Sequence, residues 1–313
     1  MADVPQREFV DSAVLARLSR LAFLPRGPVI GNTAGQHKSP HRGSSVEFAE
    51  YRKYVQGDDI RHVDWRVYGR TDRFYMKEFE ADTNMRCMLL VDCSRSMAFG
   101  EAGKTKFDYA RRMAATLAHL LVRQGDSVGL MCFSDEIVHE IPPRHKASHL
   151  GHIFNALADT KPAGTTDLSK ILHQAAEKIS RRALVIVLSD FFTSIPDLLN
   201  CFKHIQFRKH DLAVFHLLHD EELNFRFDRP TRFADMETSF NMITDPAMVR
   251  DLYIAELDQY LDDIKHGCAE FQVDYQRTLL SVHYEEALAD FLLQRMGRPR
   301  STTDTSPTGA GAP

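Results

Sequence analysis

Two short, wholly apolar runs do most to narrow what this chain can become. Cys87-Met-Leu-Leu-Val91 and Ala183-Leu-Val-Ile-Val-Leu188 carry no charge and no alternation, so each suits a strand covered on both faces. Both lead into an aspartate, Asp92 directly and Asp190 after Ser189. Lys106 to Arg123 has helical spacing through Ala110, Met113, Ala114, Leu117, Leu120 and Leu121, and Gly125-Asp126 stops it. Ser127 to Phe133 reads as a second strand, with Glu136 to Ile141 as an edge strand closing a hairpin. Helical stretches follow at Lys146 to Leu157, Leu168 to Ile179 and Ile195 to Phe207, and a strand at Asp211 to Leu217. Strands alternating with helices imply an α/β fold: a doubly wound, mostly parallel, Rossmann-like sheet with right-handed crossovers.

The flanks have a different texture. Residues 1–28 predict an N-terminal helix around Ser12 to Phe23 with a Pro-Arg-Gly-Pro exit. Residues 29–82 read as an irregular lead-in subdomain with one short helix and two strands, in which Asp58, Asp59, Asp64 and Trp65 occupy a tight turn and strand that packs against the main sheet, with a partner surface as the functional alternative. The main domain is expected over 83–296, with a C-terminal extension that either continues the same sheet or forms a separate module. That extension is read as a strand near Phe233 to Met242, a helix from Pro246 to Lys265, a strand Phe271 to Tyr275 and a helix His283 to Met296. The Ser/Thr/Pro/Gly-rich tail, 297–313, predicts disorder.

Composition excludes several classes. A net charge of −4 with interspersed signs gives no basic stripe, and so no expectation of nucleic acid. Five scattered cysteines without a Cys-x-x-Cys pair argue against zinc and disulfide frameworks and fit a reducing compartment. Asp3, Arg7, Glu8 and Asp11 interrupt any signal-peptide core, and no apolar run is long enough to span a bilayer. A cytoplasmic location is expected.

The chemistry gathers at the ends of the two apolar strands. Asp92-Cys-Ser94-Arg-Ser96 can aim a carboxylate and two hydroxyls at one point above its strand. In a doubly wound sheet the ligand crevice opens where chain order reverses, outside the carboxyl ends of the central strands. If these two are the central pair, Asp92 and Asp190 meet across it, and Gly164-Thr-Thr166-Asp167 brings a third hydroxyl. An all-oxygen set with few formal charges suits Mg²⁺, with Mn²⁺ or Ca²⁺ as alternatives, whereas zinc prefers nitrogen or sulfur. Helix capping by Asp92, Ser94 and Asp190 is the bland alternative for each residue taken singly.

Asp92, Ser94, Ser96, Thr166 and Asp190 together resemble the metal-ion-dependent adhesion site of von Willebrand factor A-like domains. The resemblance extends to Gly43-Ser-Ser-Val-Glu-Phe48, Arg52-Lys-Tyr54, Gly57-Asp-Asp-Ile-Arg61, Val63-Asp-Trp65 and Lys77-Glu-Phe-Glu80, which look like the lead-in of bacterial domain-of-unknown-function family fifty-eight. It covers roughly residues 29 to 220. It implies direct ligation by Ser94, Ser96 and Thr166, water-mediated contacts from Asp92 and Asp190, and a partner's Glu or Asp completing the octahedron. It further implies a MoxR-type AAA+ ATPase partner, a client protein, a chaperone-like or complex-assembly role, and no enzymatic activity. Many family members carry transmembrane helices before this lead-in, and none is expected from the residues that precede it here.

Competing readings are weaker on residue grounds. Gly100 to Thr105 sits in phosphate-loop context, but Ala98 stands where the first glycine is needed. A metal-dependent phosphohydrolase using Asp92 and Asp190 normally needs an acid two residues after the nucleophile, where this chain has Ser94; no lysine is obviously placed to complete such a site either. No Gly-x-Ser-x-Gly elbow supports a serine hydrolase. His145, His149 and His152 share a helical face but read as surface residues.

Overall fold

The computed structural model describes residues 9–21, 34–38, 47–54, 63, 65–71, 74–80, 82–83, 85–237 and 240–297. In chain order the helix α1 (Ser12–Leu18) is followed by strands β1 (Ala34–Lys38) and β2 (Glu47–Lys53), helix α2 (Trp65–Thr71), and strands β3 (Tyr75–Glu80) and β4 (Asp82–Thr83). The central domain contains β5 (Arg86–Asp92), α3 (Lys106–Arg123), β6 (Ser127–Phe133), β7 (Ile137–Arg144), α4 (His149–Asp159), α5 (Leu168–Lys178), β8 (Leu184–Ser189), α6 (Ile195–Phe207) and β9 (Asp211–Leu218). It continues through α7 (Asp220–Asn224), β10 (Thr231–Ala234), β11 (Asn241–Thr244), α8 (Pro246–Glu270), β12 (Asp274–Leu279) and α9 (Tyr284–Gly297).

Six strands form one sheet in the order β12-β9-β8-β5-β6-β7, parallel except for β7. The two apolar runs are its central neighbours, with Val91 opposite Leu188. Strand geometry turns alternate residues to opposite faces. Leu89 and Val91 therefore join a core with Leu117 of α3, Phe154 of α4 and Phe291 of α9, while Met88 and Leu90 join Leu172 of α5, Phe202 of α6 and Ile264 of α8. Pro142 and Pro143 are tolerated in β7 because it is an edge strand. The chain leaves β5 toward β6 and returns to the other side at β8. The order thus reverses between β5 and β8, and a crevice opens at their carboxyl ends.

Several expectations are corrected. The region near Phe233 to Met242 is not one strand of the main sheet but a separate hairpin of β10 and β11, since Asp235 to Phe240 turns the chain back. Helix α8 runs five residues past Lys265 to Glu270, so the final strand begins at Asp274 and not at Phe271. In the lead-in, Glu47–Lys53 is a strand paired antiparallel with Tyr75–Glu80, and Ala34–Lys38 pairs with Asp82–Thr83, giving more strand than expected. Trp65 opens a helix instead of lying in a strand. It is 59% exposed, with its ring edge-on to Tyr68 and Phe74 of the lead-in. Helix α1 ends at Leu18, well before Phe23. Phe23, Asp58, Asp59, Asp64 and the tail from 298 lie outside the described residues.

Candidate functional site

Three loops meet at the β5/β8 crevice. After β5, the chain makes a 3₁₀ turn at Arg95–Ala98. The loop between α4 and α5 is stitched to it by backbone: the Ala163 amide donates to Cys93 carbonyl at 2.8 Å, and the Arg95 amide to Gly164 carbonyl at 3.1 Å. Gly164 adopts φ +79°, a left-handed conformation that disfavours side chains. After β8 the chain turns through Phe191, held at φ 53° although not glycine. The Tyr260 hydroxyl of α8 donates to the Phe191 and Thr193 carbonyls, and the Phe191 amide donates to Ser189 Oγ at 3.0 Å, which together brace that turn.

The five residues singled out in the sequence sit on these loops. Asp92 is fully buried; its Oδ1 accepts the Ser94 amide at 2.9 Å and its Oδ2 the Ser189 hydroxyl at 2.6 Å. The Ser94 and Ser96 hydroxyl oxygens lie 3.0 Å apart. Thr166 donates its amide and hydroxyl to the two carboxylate oxygens of Glu237, at 3.0 and 3.1 Å. Asp190, 1% exposed, accepts from the Lys106 ammonium at 3.1 Å, and that ammonium also donates to Glu222 at 2.6 Å. Lys106 is itself fully buried, flanked by the rings of Phe99 and Phe192.

The electrostatics differ across the crevice. Burial, with the nearby Asp190 charge second, pushes the Asp92 carboxyl up to about 7, against the pull of its hydrogen bonds. Burial works against the Lys106 ammonium, but Asp190 and Glu222 outweigh it and raise its pKa. Burial and Lys106 hold His216, bonded to the Tyr275 hydroxyl at 3.0 Å, down to about 3, so its ring is neutral. The Lys106 ammonium pairs with Asp190 and Glu222, and among the described residues Asp92 and Glu237 form no ion pair, so the crevice is short of positive charge. Hydroxyl and carboxylate oxygens in a negative, partly closed crevice form the donor set that a hard divalent cation accepts. The residues present therefore fit Mg²⁺.

The other motifs resolve differently. Thr105 caps α3 in a capping box with Asp108, and exposed Lys104 pairs with Glu101 at 3.4 Å, so the Gly100 to Thr105 segment is a helix lead. His149 is buried, with Nε2 3.0 Å from the Val128 carbonyl, in place of the surface position expected for it. Among the described residues no three His, Cys, Asp or Glu side chains cluster as a metal group. All five cysteines are free and buried.

Residues 50–259 match the family described as Protein of unknown function DUF58, two thirds of the chain. The chain belongs to that family. Curated relatives include an uncharacterized protein of Mycobacterium tuberculosis, 29% identical over 188 residues, which are 59% of this chain and 59% of that one. The uncharacterized protein YeaD of Bacillus subtilis is 25% identical over 142 residues, 45% of this chain and 33% of its own length. The match thus spans about three fifths, or less, of these relatives' lengths. Similar solved structures include BatB from Bacteroides thetaiotaomicron, with a TM-score of 0.43 and 14% identity over 69% of this chain and 100% of that one. Another is the SpRpn10 VWA domain, with a TM-score of 0.39 and 12% identity over 66% and 95%. Among the described residues no helix is long and apolar enough to cross a membrane.

Sequence reasoning missed Lys106, Ser189, Glu222 and Glu237. The Lys106 finding corrects one exclusion: a lysine does stand at the crevice, on Asp190. Its signal was faint, a cation in the first turn of a helix, where the helix dipole disfavours one. Ser189 was visible as the residue between the apolar run and Asp190. Glu222 and Glu237 are 116 and 71 residues from their partners, and no local pattern reports such pairs.

Proposed function

We propose that this chain is a Mg²⁺-dependent protein-interaction module, working with a MoxR-type AAA+ ATPase in a chaperone-like or complex-assembly role in the cytoplasm. The observation that carries the reading is Asp92: a buried carboxylate held by an amide and a hydroxyl, beside the paired Ser94 and Ser96 hydroxyls, and forming no ion pair among the described residues. Ser94, Ser96 and Thr166 would hold the cation, with Asp92 and Asp190 supplying charge. Bound there, Mg²⁺ would offer a position that an acid of the partner fills. The resemblance in the lead-in motifs supports the choice of ATPase.

Binding, not turnover, is the better use of these residues. Asp92 spends both oxygens on Ser94 and Ser189, and Ser94 occupies the place of the acid that an aspartyl phosphotransferase needs. The second reading, a metal-dependent phosphohydrolase using Asp92 and Asp190, is favoured by one observation, the buried Lys106 on Asp190.

The test is capture of an AAA+ ATPase from lysate of the encoding organism by immobilised full-length chain in Mg²⁺. EDTA is expected to abolish capture and Ser94→Ala to weaken it. Equal capture in all three conditions sinks the metal-site mechanism. Hydrolysis of a phosphate ester that requires Mg²⁺ and disappears in Asp92→Asn decides for the enzyme.

A further inference from the structure

The hairpin of β10 and β11 is absent from the central sheet, yet its tip ends at the crevice. Its base is fixed: Phe233 stacks on Phe225 at 5.3 Å and meets Phe227 edge-on, while Tyr253 packs on Phe225. Arg250 of α8 donates to the Phe225 and Phe227 carbonyls at 3.2 and 2.7 Å. The tip is shaped by the Asp235 amide donating to the Phe240 carbonyl and by the Glu237 amide donating to Asp235 Oδ1 at 2.8 Å. From that turn Met236 lines a cleft with Phe99, Gly100 and His219, and Glu237 reaches Thr166.

Two features make this contact more than loop packing. The start of α5 does not need it, because Asp167 already caps that helix by accepting the Lys170 amide at 3.0 Å. It also places a carboxylate on Thr166, a hydroxyl of the loop that is stitched to the turn after Asp92. Lys106 is taken up by Asp190 and Glu222, so among the described residues neither Asp92 nor Glu237 forms an ion pair, and a cation entering the crevice would be attracted by both. By donating its hydrogen to Glu237, the Thr166 hydroxyl keeps its oxygen lone pairs for a cation.

We propose that Glu237 is an internal carboxylate of the metal site, so that the hairpin tip caps the site from within the chain and an incoming acid of a partner must displace it. This rests on the metal-site reading above and adds its regulation: recognition requires an acidic segment that out-competes a tethered glutamate. Tethering gives Glu237 a high local concentration, so lone acetate-like ligands lose and multivalent acidic segments win.

The test is hydrogen exchange and Mg²⁺ titration calorimetry on the full chain, comparing wild type with Glu237→Gln and Asp92→Asn. In wild type, Mg²⁺ is expected to slow exchange about tenfold both at 92–97 and across the hairpin tip, 235–241. Glu237→Gln should keep the slowing at 92–97, lose it at 235–241, and bind Mg²⁺ about tenfold more weakly. Unchanged affinity and unchanged hairpin protection in Glu237→Gln overturn the proposal and leave the metal site standing. Absence of any Mg²⁺ effect at 92–97 in folded wild type overturns the metal-site reading, and this proposal with it. Asp92→Asn, which should lose both effects, checks that the response belongs to the crevice.

Discussion

Asp92 and Asp190 end neighbouring strands at nearly the same depth, 0% and 1% exposed, yet their surroundings are opposite. Asp190 has a buried ammonium at 3.1 Å, itself shared with Glu222. Asp92 has a hydroxyl and an amide, and its carboxyl is pushed up to about 7 by burial and by Asp190. A buried ion pair once formed is costly to break, whereas a buried carboxylate with only neutral donors is a standing demand for a cation. One side of the crevice is therefore a fixed structural brace, and the other is where an exchangeable cation gains most.

The comparison breaks most visibly at Lys106. Lys106→Met should destabilise the fold by about 3–5 kcal/mol, because it strands two carboxylates, one of them fully buried. Urea denaturation measures it; a loss under about 1 kcal/mol would mean that Lys106 is not what neutralises Asp190.

Next come the two isosteric amides, which should act with opposite signs. Asp190→Asn leaves Lys106 with Glu222 alone and should cost about 2 kcal/mol. Asp92→Asn removes a charge that burial disfavours, so without divalent cation at pH 8 it should stabilise by about 1–2 kcal/mol. The pH dependence follows from the direction of the shift. Asp92 binds its proton more tightly folded (about 7) than unfolded (3.8), so the stability it contributes is whole below the unfolded value and lost as pH rises through the folded one. Wild type and Asp92→Asn should thus be closest near pH 4 and separate toward pH 8, with Mg²⁺ closing the gap for wild type only. Parallel curves across that range would remove the asymmetry between the two aspartates.

Smaller in energy but sharper in meaning is Ser94→Ala. The hydroxyl lies 3.0 Å from that of Ser96, and its loss should weaken Mg²⁺ binding about tenfold, read by calorimetry, while stability changes by less than about 1 kcal/mol.

Why the two sides differed in legibility follows from distance along the chain. Asp92, Ser94 and Ser96 are packed into five residues at the end of an apolar run, so strand periodicity alone aims them at the crevice. Asp190 follows from the same logic. Lys106 looked like an ordinary helix residue, because what buries it, Glu222 and the rings of Phe99 and Phe192, comes from three separate segments. The central sheet was readable because buried parallel strands are nearly pure hydrocarbon; β10 and β11 were not. Exposed Phe240 and Ile243 gave the hairpin the apolar look of a core strand, although they face solvent. In the lead-in the alternating stretch Phe74 to Phe79 reads as a strand and Tyr75–Glu80 is one, whereas its partner Glu47–Lys53 is mixed polar, and only long-range pairing decides between helix and strand there.

The smallest expected effect on the metal lies at Gly164, whose carbonyl accepts the Arg95 amide and ties the α4–α5 loop to the loop after β5. Its φ of +79° is strained for any side chain, and a Cβ would sit 3.4 Å from Ser134 Oγ. Gly164→Ala should cost about 1 kcal/mol in thermal or urea unfolding. The strain is local to the loop that carries Thr166, so Mg²⁺ affinity should fall by a few-fold more than Gly103→Ala achieves at an equally left-handed glycine, φ +79°, in the segment before α3. Comparable losses of metal affinity in both variants would mean that the α4–α5 loop does not position the site, and that Thr166 is held to Glu237 for packing alone.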